Sequence, residues 1–231
     1  MFHLPRILYY ITLAAACIVS GCEVKVKPVE GGKEIAKELE RRKIKRVTGA
    51  QIQEAALNAG DSIVAAAQYQ MDLYLQQHLD SGGVAAAMAY CRPEQFEIVQ
   101  AMEQKYGGTA GRTSLKLRNP ANKAEGAVAV ALQQYTEGQL QEPVLQELNR
   151  EELLYTAPIY IRSESCLRCH GTPGKELSDA DNELLKQQYP TDQATRYATG
   201  DLRGMWHIRF NKQTLVTDMT TQPKKKIKMG F

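Results

Sequence analysis

Between residues 51 and 79 apolar side chains return at helical spacing: Ile52, Ala55, Ala56, Ala59, Ile63, Ala66 and Ala67, then Met71, Tyr74 and Leu75. This predicts one long amphipathic helix. Ser81-Gly82-Gly83 predicts its end, with a second helix starting near Val84 and running antiparallel to it. Pro93 kinks or restarts that second helix, because proline removes a backbone bond and clashes with the preceding turn. Helical character continues to residue 104, and Gly107-Gly108 closes it. Residues 112–118 alternate as a strand through Thr113, Leu115 and Leu117, and Asn119-Pro120 begins a turn. A helix follows over 124–135, then strands at 153–155 and 159–161 interrupted or bent at Pro158. Residues 178–189 form a short helix and 204–210 a last strand. Long helices followed by scattered strands predict an α+β domain with a small antiparallel sheet behind an N-terminal helical hairpin.

The two ends follow a different pattern. One arginine, Arg6, precedes an apolar run over residues 7–19, and Val19-Ser20-Gly21-Cys22 follows. Thirteen apolar residues fall short of the ~20 that span a bilayer, and the layout is that of a secretory signal. The Val-Ser-Gly-Cys ending resembles the lipobox of bacterial lipoproteins. That resemblance implies cleavage after residue 21 and a lipid on Cys22; an uncleaved, tilted anchor is the alternative. Residues 22–48 read as a tether and a basic helix. Over 33–46 there are seven basic and three acidic residues, with Glu38 placed to pair with Arg42. A solvated spacer explains this run better than lipid headgroup contact. The basic tail over 216–231, with Lys224, Lys225, Lys226 and Lys228, reads the same way. The remaining stretch, 49–215, is the domain itself.

Composition narrows the class. The chain has 231 residues, 43% apolar and 24% charged, which excludes a polytopic membrane protein and a disordered polar chain. Lysine and arginine number 29 against 26 acidic residues, a net charge of +3. Neither basic run is interleaved with aromatics, so no nucleic-acid partner is expected. Five cysteines are few and odd in number. Cys17 leaves with the signal and Cys22 takes the lipid, so three remain for the domain.

Two of these stand in Cys166-Leu167-Arg168-Cys169-His170, the Cys-x-x-Cys-His attachment signature of c-type haem. Thiols three positions apart reach the two vinyl groups on one porphyrin edge, and the next residue sets an imidazole under the iron as axial ligand. Two other readings compete. Cys166 and Cys169 suit a redox dithiol, but their flanks do not resemble a thioredoxin turn. Cys91, Cys166, Cys169 and His170 suit a Cys₃His zinc site only if the adjacent Cys169 and His170 bind one ion together, which is awkward.

On the far side of the iron the candidates are Cys91, Met88, Met205, His207 and His78. His78 reads as a solvated histidine, Met205 as core, and His207 as core or as a partner for a haem propionate. Val84, Ala87, Met88 and Cys91 form one helical stripe, and the neighbouring alanines keep that helix thin. Spacing leaves Cys91 open between a buried structural thiol and a ligand.

Further motifs carry a resemblance. Gly111-Arg-Thr-Ser-Leu-Lys-Leu-Arg-Asn-Pro-Ala-Asn122, Cys91 upstream, Pro158-Ile159 before Cys166 to Gly171, and Gly200-Asp-Leu-Arg-Gly204 resemble the Tll0287-like family over about residues 50–212. The resemblance implies a PAS-like domain holding one covalently bound c-type haem, with His170 proximal and Cys91 distal. Met88 is the fallback, since Pro93 follows Cys91 by two residues. Arg112 is expected at a haem propionate, with ion pairing as the alternative for it and for Arg118.

Three functions compete: a redox or ligand sensor, a tethered electron carrier, and a haem enzyme such as a peroxidase. The last needs an acid–base set that the sequence lacks, so no catalytic activity is expected. Any signal or electron passes to a partner protein. The expected location is the periplasmic face of the envelope, lipid-anchored through Cys22. Glu23 is not the aspartate associated with inner-membrane retention, which favours the outer membrane.

Overall fold

A computed structural model describes residues 30–42 and 46–221 of the chain. The signal over 1–21, Cys22, the first part of the tether and the last ten residues of the basic tail lie outside the described residues. The chain divides into two units, Met1–Lys45 and Arg46–Phe231. In the first, helix α1 (Gly32–Arg42) exposes Ile35 and Leu39 on one stripe. The Arg42 side chain, and so the expected pair with Glu38, falls outside the described residues.

The second unit opens on α2 (Gly49–Ala87), 39 residues long. Thr48 starts it with a reciprocal cap: its side chain accepts from the Gln51 backbone N–H, and the Gln51 side chain accepts from the Thr48 N–H. Ser81-Gly82-Gly83 does not end the helix as predicted. Gly83 takes a positive φ of 65° and kinks it, and one further turn runs to Ala87. The long second arm expected from Val84 is absent. Two 3₁₀ turns, Met88–Tyr90 and Pro93–Gln95, carry the chain around instead, because Pro93 cannot continue a helix. The arm that packs back on α2 is α3 (Glu97–Tyr106), which buries Val99 there.

Strand β1 (Gly108–Thr113) comes earlier than predicted. Its glycines read as a turn by composition but serve close packing. A Cβ on Gly108 would lie 2.9 Å from the Phe210 ring, and one on Gly111 2.5 Å from the His207 ring. Next come α4 (Gly126–Thr136), the unpredicted short β2 (Val144–Glu147), and β3 (Glu152–Tyr160). Pro158 does not break β3. It lies past the last β2 partner, Thr156, where β3 is locally an edge strand. Then follow α5 (Glu164–His170), α6 (Asp179–Gln188), β4 (Leu202–Asn211) and α7 (Lys212–Thr221). α7 was not predicted, and the boundary expected at residue 215 falls inside it.

The four strands form one antiparallel sheet in the order β1-β4-β3-β2. Alternation divides its residues between two cores. Tyr155, Trp206, Ile208 and Phe210 pack with Ala56, Ala59, Ile63 and Ala67 of α2. Leu154 and Met205 pack against α4 on the opposite face. Small residues let α2 approach the sheet closely: a Cβ on Gly60 would overlap the Tyr155 ring. The Tyr155 hydroxyl donates to Asp61 at 2.7 Å.

Candidate functional site

Helix α5 carries Cys166, Cys169 and His170 on less than two turns, which puts the two thiols on one face. Leu167 is buried with Ile161 and Tyr197, a cluster against which Cys166 also packs. The helix stops at Gly171, whose N–H bonds the Leu167 carbonyl at 2.7 Å and whose missing side chain leaves room for Glu176.

His170 is oriented by the segment after α6. Its Nδ1 lies 2.7 Å from the Ala194 carbonyl. A carbonyl can only accept, so the proton sits on Nδ1 and Nε2 keeps its lone pair. Burial, with Arg203 and Arg118 nearby, holds the imidazole well below its ordinary pKa, in the neutral form that binds metals. Arg118 ties the two segments together. Its Nη2 donates to the Cys169 carbonyl at 2.6 Å and to the Ala194 carbonyl at 3.3 Å, while its Nε pairs with Asp192 at 3.0 Å.

Cys91 approaches from a different part of the chain. It caps the 3₁₀ turn Met88–Tyr90 rather than lying on a helix. Its carbonyl accepts from Arg112 Nη2 at 2.6 Å, and Arg112 Nε pairs with Glu94 at 2.8 Å. Burial pushes the Cys91 thiol up, against the pull of the nearby arginines. The Cys169 thiol is pushed up to about 12, again mainly by burial.

All of these meet in one cavity of about 190 Å³. Cys91, Met88, Cys166, Cys169, His170 and Arg112 line it, together with Leu75, Leu79, Ile159 and Leu185. The other distal candidates lie elsewhere. Met205 is buried under α4. His207 projects from the sheet face opposite Trp206, against Gly111. His78 is half-buried rather than solvated, stacked on Tyr90 at 4.1 Å between ring centroids. Arg112 and Arg118 are both ion-paired and largely buried rather than on the surface.

Sequence reasoning missed Asp192, Ala194 and Tyr197, which belong to a segment with no motif of its own. Arg203 entered only within the Gly200-Asp-Leu-Arg-Gly204 motif, yet Arg203 lines the cavity. Among the described residues no three His, Cys, Asp or Glu side chains gather as ligands of one ion. Two thiols and an imidazole thus share the wall of one cavity whose lining is part apolar and part charged.

A family model described as Tll0287-like matches residues 49–211. The chain belongs to the Tll0287-like family. Among solved structures it is similar to one titled as the crystal structure of the cyanobacterial heme-protein Tll0287. The two share 23% sequence identity with a TM-score of 0.47, over 64% of this chain and 92% of that one. No curated protein matches the chain.

Proposed function

We propose that this member of the Tll0287-like family is an exported monohaem protein of c type. In this reading Cys166 and Cys169 would hold the haem through thioether bonds, and His170 and Cys91 would bind its iron. The observation that carries it is the His170 imidazole. Its Nδ1–H is committed to Ala194, which leaves Nε2 for a metal beside two thiols three residues apart. A haem there supplies one-electron chemistry and, where a ligand leaves, a site for a small gas.

The protein's own residues divide the work of positioning. Arg118 fixes the end of the Cys-x-x-Cys-His helix, and Arg112 fixes the backbone of Cys91. Cys91 caps a three-residue 3₁₀ turn rather than sitting within a helix, so it is the less firmly held of the two. That favours redox or ligand sensing, in which Cys91 would be the residue able to move and a partner protein would receive the change. Electron transfer is the second reading, favoured by the half-exposed Cys166 at one edge of the cavity. Neither reading requires catalysis, and none is proposed. No described helix is long and apolar enough to cross a membrane. The proposed attachment is the lipid on Cys22, on the periplasmic side and in the outer membrane.

A haem stain on the denatured protein tests attachment, and a colourless band overturns the reading. Redox titration under carbon monoxide then separates the two roles. Ligand exchange on reduction supports sensing, and a low-spin centre that ignores the gas supports a carrier.

A further inference from the structure

Arg112, Arg118 and Arg203 line the cavity, as do Arg92, which donates to the Tyr189 hydroxyl at 3.3 Å, and Arg162, which pairs with Asp72 at 3.0 Å. Arg112 has Glu94 as carboxylate partner and Arg118 has Asp192. Arg203 has no ion-pair partner among the described residues. Its Nη1 donates to the Lys116 carbonyl at 3.2 Å, and its buried Nε–H meets no acceptor among the described residues. Tyr197 fixes its place. The Arg203 guanidinium lies over the Tyr197 ring at 5.5 Å, and the same ring stands edge-on to His170 at 6.1 Å between centroids. Arg203 therefore flanks the His170 side of the cavity.

The surroundings neutralise it only in part. Lys116 lies over the same Tyr197 ring at 4.4 Å and adds positive charge, while Asp192, the nearby carboxylate that favours its charge, is paired with Arg118, and Glu94 with Arg112. Taking a guanidinium out of water is costly unless an anion meets it. Arginine meets a planar carboxylate through parallel N–H bonds, so that is the anion its shape selects. Arg112, the residue expected from sequence to hold a carboxylate of the bound group, is already occupied in positioning Cys91.

We propose that Arg203 binds a carboxylate of the group held in this cavity, which on the haem reading is the propionate on the His170 side. The inference rests on that reading and adds a residue to it. Arg203 would then be an anchor for the carboxylate of that group, separate from the attachment at Cys166 and Cys169.

The test uses the haem-loaded protein with ¹³C-labelled propionate carboxyls, followed by NMR as pH is lowered. In the wild type one propionate stays ionised well below the other. Arg203→Gln moves that propionate's midpoint up by about one pH unit, a tenfold change in its proton affinity. Arg203→Lys retains most of the wild-type value. Arg209→Gln removes the same charge from an exposed position on the same strand and changes nothing. Two propionates that titrate together in the wild type overturn the proposal, as does an unchanged midpoint in Arg203→Gln. Should that variant fail to mature, the wild-type and Arg203→Lys titrations decide. A wild-type chain without haem stain overturns the haem reading itself, whereas a stained chain with the wrong titration overturns Arg203 alone.

Discussion

Arg118 donates to the carbonyl of Cys169 at 2.6 Å while pairing with Asp192, so one side chain joins the Cys-x-x-Cys-His helix to the segment that orients its histidine. Asp192 is only 3% exposed. Arg118→Gln strands that carboxylate, and breaking a buried pair costs about 3–5 kcal/mol. The expected result is a lower urea midpoint, read by circular dichroism. Replacing both partners, as Arg118→Leu with Asp192→Asn, recovers part of the loss. A single variant as stable as the wild type would show the pair to be dispensable.

Cys91→Ala removes the proposed distal ligand without touching attachment, since Cys166 and Cys169 lie on a separate helix. The haem stain persists, the oxidised spectrum changes, and carbon monoxide binds the reduced protein faster. An unchanged oxidised spectrum would transfer the distal role to Met88, the other cavity-lining candidate.

Gly60→Ala sets two effects against each other. Alanine stabilises a helix interior over glycine by about 1 kcal/mol. The added methyl, however, overlaps the ring of Tyr155, a side chain that is fully buried and tethered to Asp61. Overpacking of that kind costs about 1–3 kcal/mol. The overlap wins, and thermal denaturation shows a lower Tm than the wild type.

His207 carries a pH dependence. Burial and Arg209 lower its pKa in the folded chain. The unfolded chain then binds the proton more readily below about pH 6.5, so stability is full above that pH and is lost as pH falls toward the folded value. His207→Gln removes this contribution. The difference in urea midpoint between pH 7.5 and 5.5 is smaller in the variant than in the wild type; an equal difference sinks the assignment.

The helices with clear periodicity were legible, and so was the last strand, because alternation in a strand facing two cores leaves a visible trace at Trp206, Ile208 and Phe210. Strand β1 was misplaced because its glycines answer to Phe210 and His207, residues about a hundred positions away. Gly83 looked like a helix end but produced a kink, since one residue of positive φ diverts a helix without unwinding the next turn. At the site, the thiols and His170 were visible because covalent chemistry demands a fixed spacing. Ala194 was invisible because it contributes only a backbone carbonyl, which any residue supplies. Arg203 was hidden for another reason: its place on the cavity wall and the unmet Nε–H arise only once β4 is folded beside Lys116 and Tyr197.

The length of α2 has a mechanical meaning. Its first half is packed on the sheet through Ala56 to Ala67, while Leu75 and Leu79 border the cavity. At 1.5 Å per residue, the stretch from Gly49 to the kink at Gly83 measures ~50 Å. The alanine and glycine contacts with the sheet lie nearer Gly49 than Gly83, so any tilt about them would displace the end beside the cavity further than the end at Thr48.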